Sequence, residues 1–236
     1  MSRILIAAGE PEYESHETMS SFARDWRIAG HDVDLCTPTV IDDEPDFPTS
    51  EFTGLEALPA ADLLVIYTRF RVLPDQQMSL LEDYLDAGRP VLGLRTSSHA
   101  FHFPTDSPWS TWNDGFGREV LGTPWVSHHG HSSRTFVQAS DGVLTHPILE
   151  GIESPFEARS WLYRVRIPGE KQAQVLLHGD PIEPETDPEP GPVAWTTSHR
   201  GGGRVFYTSL GHRDDFDVPA VRHLLYNAAT WCLGSE

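Results

Sequence analysis

The sequence predicts an α/β chain built on a doubly wound, mainly parallel sheet. Three observations carry that prediction. Short, almost wholly apolar runs recur at residues 4–9, 61–67 and 90–94, as in strands covered on both faces. Helix-length amphipathic stretches separate them. Near the C-terminus, two apolar runs at 192–196 and 203–212 flank a glycine-rich turn, which predicts a late antiparallel β-hairpin.

Taken in order, residues 4–9 (ILIAAG) read as the first buried strand. A helix follows over 14–29, with Phe22, Trp26 and Ile28 among its apolar positions and Gly30 as its stop. Residues 33–36 read as a second strand. The Pro- and Asp-rich stretch 37–53 reads as a loop. Residues 61–67 are a third strand. The helix over 74–87 has Pro74 in its first turn, Leu80, Leu81, Tyr84 and Leu85 as an apolar stripe, and Gly88 after its end. The fourth strand, 90–95, runs into Thr96-Ser97-Ser98-His99, a turn suited to cap a short helix. Residues 104–162, with Trp109, Trp112, Trp125, Trp161 and His128-His129-Gly130-His131, read as an irregular cover over one end of the sheet. Strands are expected over 133–139 and 174–178, and a solvated loop over 179–191. A closing helix over 218–233 carries Val221, Leu224, Leu225, Ala228 and Trp231 at helical spacing. No internal repeat is visible, and residues 1–236 read as one domain.

Composition bounds the function. The 236 residues are 39% hydrophobic, enough for a sizeable core. A formal net charge of −18 argues against nucleic acid or an anionic membrane as partner, because both need a basic face. Cys36 and Cys232 stand far apart and fit no metal spacing. Buried free thiols are the expectation, which suggests a reducing compartment. The apolar N-terminal run is too short for a signal sequence, and no run reaches a membrane span. The reading is a soluble cytoplasmic protein. A homo-oligomer built on the aromatics of the middle segment is compatible with this surface.

Three segments resemble one known family: Gly93-Leu94-Arg95-Thr96-Ser97-Ser98-His99-Ala100-Phe101, Thr145-His146-Pro147-Ile148-Leu149-Glu150-Gly151-Ile152, and the hairpin ending Gly211-His212 with Leu224-Leu225-Tyr226-Asn227-Ala228-Ala229-Thr230-Trp231. In this order they resemble the trehalose-utilisation (ThuA-like) family. The resemblance implies a flavodoxin-like sheet of the class I glutamine amidotransferase-like type and a setting in carbohydrate catabolism. In glutamine amidotransferases a cysteine nucleophile follows the corresponding strand; here Arg95 stands there. An always-protonated guanidinium is no nucleophile, so no glutaminase activity is implied. ThuA-like proteins more often carry histidine at this position. Tyr163 matches a family tyrosine that follows an acidic pair, but Ser160-Trp161-Leu162 precede it here.

The residues themselves offer three candidate sites. The Arg95–His99 turn sits at the carboxyl end of a central strand, where open α/β sheets bind ligands. Arg95, Ser97, Ser98 and His99 are candidate binders of sugar hydroxyls. Ser97 or Ser98 with His99 is also a possible nucleophile and base; helix capping is an equal reading. The second candidate is the histidine cluster, with His128 and His131 as candidate acid/base groups. A minor alternative places zinc on His129, His131 and His212; otherwise no metal or cofactor is expected. The third is Gly211-His212-Arg213-Asp214-Asp215, held by the last strand. His212 is the favoured catalytic group, with Arg213, Asp214 and Tyr163 as candidate substrate binders. Here too a capped helix start, with Asp214 or Asp215 as the cap, is the competing reading. Together these predict an enzyme acting on a sugar or keto-sugar by acid/base chemistry. The alternatives are a non-catalytic sugar-binding or regulatory module and, less favoured, a metal-dependent hydrolase.

Overall fold

The structure, a computed structural model, describes all residues other than 43, 45, 131–132, 168–172, 184–188 and 235–236. Its elements in chain order are β1 (Arg3–Gly9), α1 (Ser15–Ile28), β2 (Asp32–Cys36), β3 (Pro38–Asp42), β4 (Thr49–Phe52), β5 (Leu63–Thr68), α2 (Asp75–Asp86) and β6 (Val91–Leu94). After a 3₁₀ turn at Arg95–His99 come α3 (Trp112–Gly115), β7 (Trp125–His128), β8 (Arg134–Ala139), β9 (Phe156–Ala158), β10 (Tyr163–Val165), β11 (Ala173–Ile182), β12 (Gly191–Ser198), β13 (Arg204–Thr208) and α4 (Pro219–Cys232). The main sheet has nine strands in the order β2-β1-β5-β6-β13-β12-β11-β8-β9. From β2 to β13 neighbours are parallel; from β13 to β9 they are antiparallel.

The apolar runs are continuous because both faces of the parallel half are covered. In β1, Ile4, Ile6 and Ala8 pack with Phe22 and Trp26 of α1, and β13 adds Phe206 beside Leu224 and Leu225 of α4. Leu5 and Ala7 point the other way, to Leu55 and Leu58 of a 3₁₀ turn and to Met78, Leu81 and Leu85 of α2. Strand alternation thus feeds two cores from one apolar string.

Three sequence expectations change. The 37–53 stretch is not a loop: β3 and β4 pair antiparallel there, Pro38 opposite Phe52. Asp46 and Pro48 lie between the two strands, while β-branched Thr39, Val40 and Ile41 form β3. The 104–162 segment is more than a cover, since β8 and β9 extend the sheet. The expected loop over 179–191 is shorter, because β11 continues to Ile182; residues 184–188 lie outside the described set. The expected late hairpin forms, β12 pairing antiparallel with β13. β13 lies parallel to β6 and antiparallel to β12, and the antiparallel strands continue beyond β12 to the sheet edge.

The strand order reverses between β1 and β5. Register pairs Gly9 with Thr68 and Leu94 with Thr208, so these four parallel strands end side by side. The segments leaving those ends build the candidate site, as expected at a topological switch point.

Candidate functional site

Arg95 is its floor. The residue leaves β6 with φ +40, a strained conformation for any side chain larger than glycine. Its side chain is fully buried. One guanidinium nitrogen donates to the Ser209 carbonyl at 2.8 Å and another to the Tyr13 hydroxyl at 3.3 Å. The rings of Tyr13, Trp161 and Tyr163 surround it at 4.5, 4.6 and 4.7 Å. No carboxylate lies within ion-pair distance of it among the described residues. The π faces of the three rings supply the stabilisation a buried cation needs. A Cβ at Gly211, whose φ is +139, would meet the Arg95 Cβ at 3.3 Å, so both the conformation and the close approach suit glycine. Burial keeps Tyr13 and Tyr163 protonated by raising both pKa values.

Above this floor runs a chain of rings. Phe70 meets His99 (5.0 Å), His99 meets Trp125 (5.0 Å), and Trp125 meets His128 (6.1 Å). His128 then meets Trp161 (6.0 Å), Trp161 meets His212 (5.8 Å), and His212 meets Tyr13 (5.7 Å). Three imidazoles are therefore interleaved with four aromatic rings. Trp125, His128 and His212 are partly exposed and Phe70 is exposed, whereas Tyr13, Trp161, Tyr163 and His99 are buried. Beside them, between β1 and β2, a recess of about 470 Å³ is lined by Gly9, Glu10, Glu14, His16, Thr37 and Arg71.

His212 is a helix cap as well as a site residue. Its Nδ1 accepts the Asp214 N–H at 3.2 Å, and the Asp215 side chain closes a capping box. The cap is therefore His212 rather than Asp214 or Asp215. Fully buried Asp215 instead accepts from the backbone N–H groups of Arg159, Ser160, Gly211 and His212 and from the Ser160 hydroxyl. This carboxylate locks the strand-end turn to the segment carrying Trp161. Burial lowers the His212 pKa, partly offset by Asp215 and Asp214, so the ring is neutral at pH 7. With Nδ1 accepting, the neutral ring carries its proton on Nε2. His212 is therefore a hydrogen-bond donor in its resting state.

The other expected residues divide. His99 is brought to the site, and burial with nearby Arg69, Arg95 and His128 pushes its ring down to about 3. Its Nδ1 lies 3.3 Å from the Ser98 hydroxyl. Ser98 is buried and also contacts the Arg95 carbonyl and the Tyr207 hydroxyl. So weakly basic a ring is a poor activator of a nucleophile. Ser97 donates to the Ile66 carbonyl at 2.7 Å, tying the turn to β5. Neither serine caps the 3₁₀ turn. Arg213 is exposed and pairs with Glu14 at 2.7 Å; Asp214 is exposed beside His212. Both lie at the rim. His128 sits opposite Tyr163 in the β7–β10 pair, while His131 lies outside the described residues. For the zinc alternative, His129 takes an N–H from Arg164 at 3.2 Å, a cationic neighbour unsuited to a metal ligand. Among the described residues no group of three or more His, Cys, Asp or Glu is placed to hold a metal ion.

Several site residues escaped the sequence reading. Tyr13 and Glu10 follow β1, and Arg69 and Phe70 follow β5. Glu10 is buried, accepts the Tyr13 N–H at 2.7 Å and lies 3.0 Å from Arg69; burial raises its pKa. The signal that would have found them is the strand-end rule already applied at Arg95 and His212.

Comparison with known proteins agrees with this architecture. The profile of the ThuA family, described as trehalose utilisation, matches residues 3–232. No curated protein matches the chain. Among solved structures, a ThuA-like protein from Bacteroides uniformis is 17% identical with a TM-score of 0.69, over 98% of this chain and 91% of that one. A ThuA-like protein from Parabacteroides merdae is 16% identical with a TM-score of 0.68, over 99% and 90%. A protein described as cytoplasmic from Salmonella typhimurium is 17% identical with a TM-score of 0.56, over 99% and 98%. At these identities the structural likeness speaks to the fold. The family match covers nearly the whole chain, and the chain belongs to the ThuA family.

Proposed function

We propose that the protein is a carbohydrate-utilisation enzyme that holds a sugar or keto-sugar against the ring-lined crevice over Arg95 and acts on it by acid/base chemistry. The observation that carries this reading is the placement of His212. It stands at the carboxyl edge of the sheet, partly exposed, neutral, flanked by Tyr13 and Trp161, with its proton on the nitrogen not used in the cap. Such a ring can polarise a carbonyl by hydrogen bonding from Nε2 without first gaining charge. Aromatic faces suit the apolar faces of sugar rings. His128, two contacts along the chain of rings, is the second acid/base group. Arg95 positions rather than reacts, being enclosed by its three rings. The family description supports the substrate class. A cytoplasmic setting agrees with the described location of the Salmonella neighbour, and no helix among the described residues is long and apolar enough to cross a membrane.

A non-catalytic sugar-binding module is the second reading. It is favoured by the replacement of the strand-end nucleophile by Arg95. A thermal-shift screen against mono- and disaccharides and their 3-keto derivatives tests the common ground, because a ligand of the folded state raises Tm. A shift with a sugar supports binding; no shift with any of them overturns both readings. Turnover of the hit, lost in His212→Ala with binding retained, selects the enzyme. No turnover by the unaltered protein selects the module.

A further inference from the structure

Phe70 is the second strained residue in this region. It lies two residues beyond the end of β5, and its φ is +48, a conformation that is an outlier for a bulky side chain. Its backbone is pinned on both sides. The Phe70 N–H donates to the His99 carbonyl at 3.0 Å and the Arg71 N–H to the Ala100 carbonyl at 2.8 Å. Arg71 reaches back to the Gly9 carbonyl and the Ser50 hydroxyl, and Arg69 is paired with Glu10 and Glu12. The chain is thus held in a conformation that glycine would adopt without strain, yet it carries a phenyl ring.

That ring is not used to fill the core. Phe70 is 49% exposed. It lies 5.0 Å from His99, the near end of the crevice, and 5.8 Å edge-on to exposed His102. His102 in turn stacks on Phe47 of the β3–β4 turn at 5.2 Å and 21°. The rings of the crevice therefore continue outward as Phe70, His102 and Phe47, past the level of Arg95. Strain that the surroundings impose and that packing does not use is characteristic of ligand-contacting residues.

We infer that Phe70, backed by His102 and Phe47, is a stacking subsite for a second sugar ring, outside the ring held over Arg95. The inference rests on the sugar reading above and adds to it: the subsite makes the protein prefer a disaccharide over a monosaccharide. The subsite needs a flat apolar ring face from the ligand. Discrimination comes from that contact rather than from the histidines.

Calorimetric titration with trehalose, its 3-keto derivative and glucose tests this on the full chain, using Phe70→Gly and Phe70→Trp. Glycine keeps the backbone conformation, so folding is not at issue. The expected result is about a tenfold loss of disaccharide affinity in Phe70→Gly, the size of one lost stacking contact. Glucose affinity should stay within about twofold, and Phe70→Trp should restore the disaccharide. Equal disaccharide affinity in the unaltered protein and Phe70→Gly overturns the subsite while leaving the sugar reading intact. Absence of binding by the unaltered protein overturns the sugar reading and this inference with it. A dimer that Phe70→Gly converts to monomer assigns the ring to a second copy of the chain instead, and also overturns it.

Discussion

Two adjacent strand ends handle the same strain in opposite ways. β5 and β6 pair in parallel, and each delivers a non-glycine residue with positive φ, Phe70 at +48 and Arg95 at +40. Arg95 turns inward, fully buried among three rings and two hydrogen bonds. Phe70 turns outward and remains half exposed. Backbone strain of this kind costs on the order of 1–3 kcal/mol. At Arg95 the packing around the side chain offsets it. At Phe70 little in the chain itself does. One strand end is thus a structural keystone and the other an open contact surface, although both lie in the same crevice.

The sharpest way to break this contrast is to place glycine at each position. Arg95→Gly relieves strain but empties the ring cage. It should destabilise the fold by ~3 kcal/mol or more, as for other large buried side chains, read as a shift in urea midpoint. A loss below ~1 kcal/mol would show that Arg95 is not a keystone.

His212 lies across the crevice and should behave as a chemical rather than a structural residue. His212→Ala should lower turnover of any sugar substrate by roughly 10²–10⁴-fold. Stability should fall by only ~1 kcal/mol, the cost of a lost cap. Steady-state kinetics and a denaturation curve on the same preparation separate the two effects.

His99 bridges the two strand ends, touching Phe70 by its ring and sitting in the turn that Arg95 begins. Its pKa in the folded state, about 3, lies below its ordinary value of 6.5. Between these values the unfolded chain binds the extra proton. Stability should therefore be full above about pH 6.5 and should fall as pH drops toward 3, by at most ~1.4 kcal/mol per pH unit from this group. Urea midpoints across that window should show the slope, and His99→Gln should flatten it. An unchanged slope in the variant would remove His99 as its source.

The smallest effect belongs to Phe70. Phe70→Gly should leave stability within about 1 kcal/mol, because relieved strain offsets the lost ring contacts and the greater freedom of the unfolded chain. Set beside Arg95→Gly, this near-neutral result is the comparison in its plainest form.

What the sequence disclosed follows the same division. The parallel strands were legible because burial on both faces leaves unbroken strings such as Leu63–Thr68. The β3–β4 hairpin was not, because β3 is almost wholly exposed and shows no alternation to set against its prolines. Arg95 and His212 stood out because a charged and a titratable residue follow predicted strands there. Trp161 was not, because it reaches the crevice through a turn that Asp215 anchors from more than fifty residues away. Phe70 was invisible for a different reason. Its significance lies in a backbone angle and an exposed ring, and neither is written in residue type.

The central claim is that His212 is a neutral, Nε2-protonated donor in contact with bound sugar. Long-range ¹H–¹⁵N spectra of the histidine side chains at pH 7, recorded with and without the sugar found by thermal shift, test it directly. His199 is the internal control, its ring held between the Arg89 carbonyl and the Gly201 N–H. The account predicts an Nε2–H pattern for His212 that moves on sugar addition while His199 stays fixed. A His212 ring that is charged, or that does not respond while the sugar is bound, would contradict it.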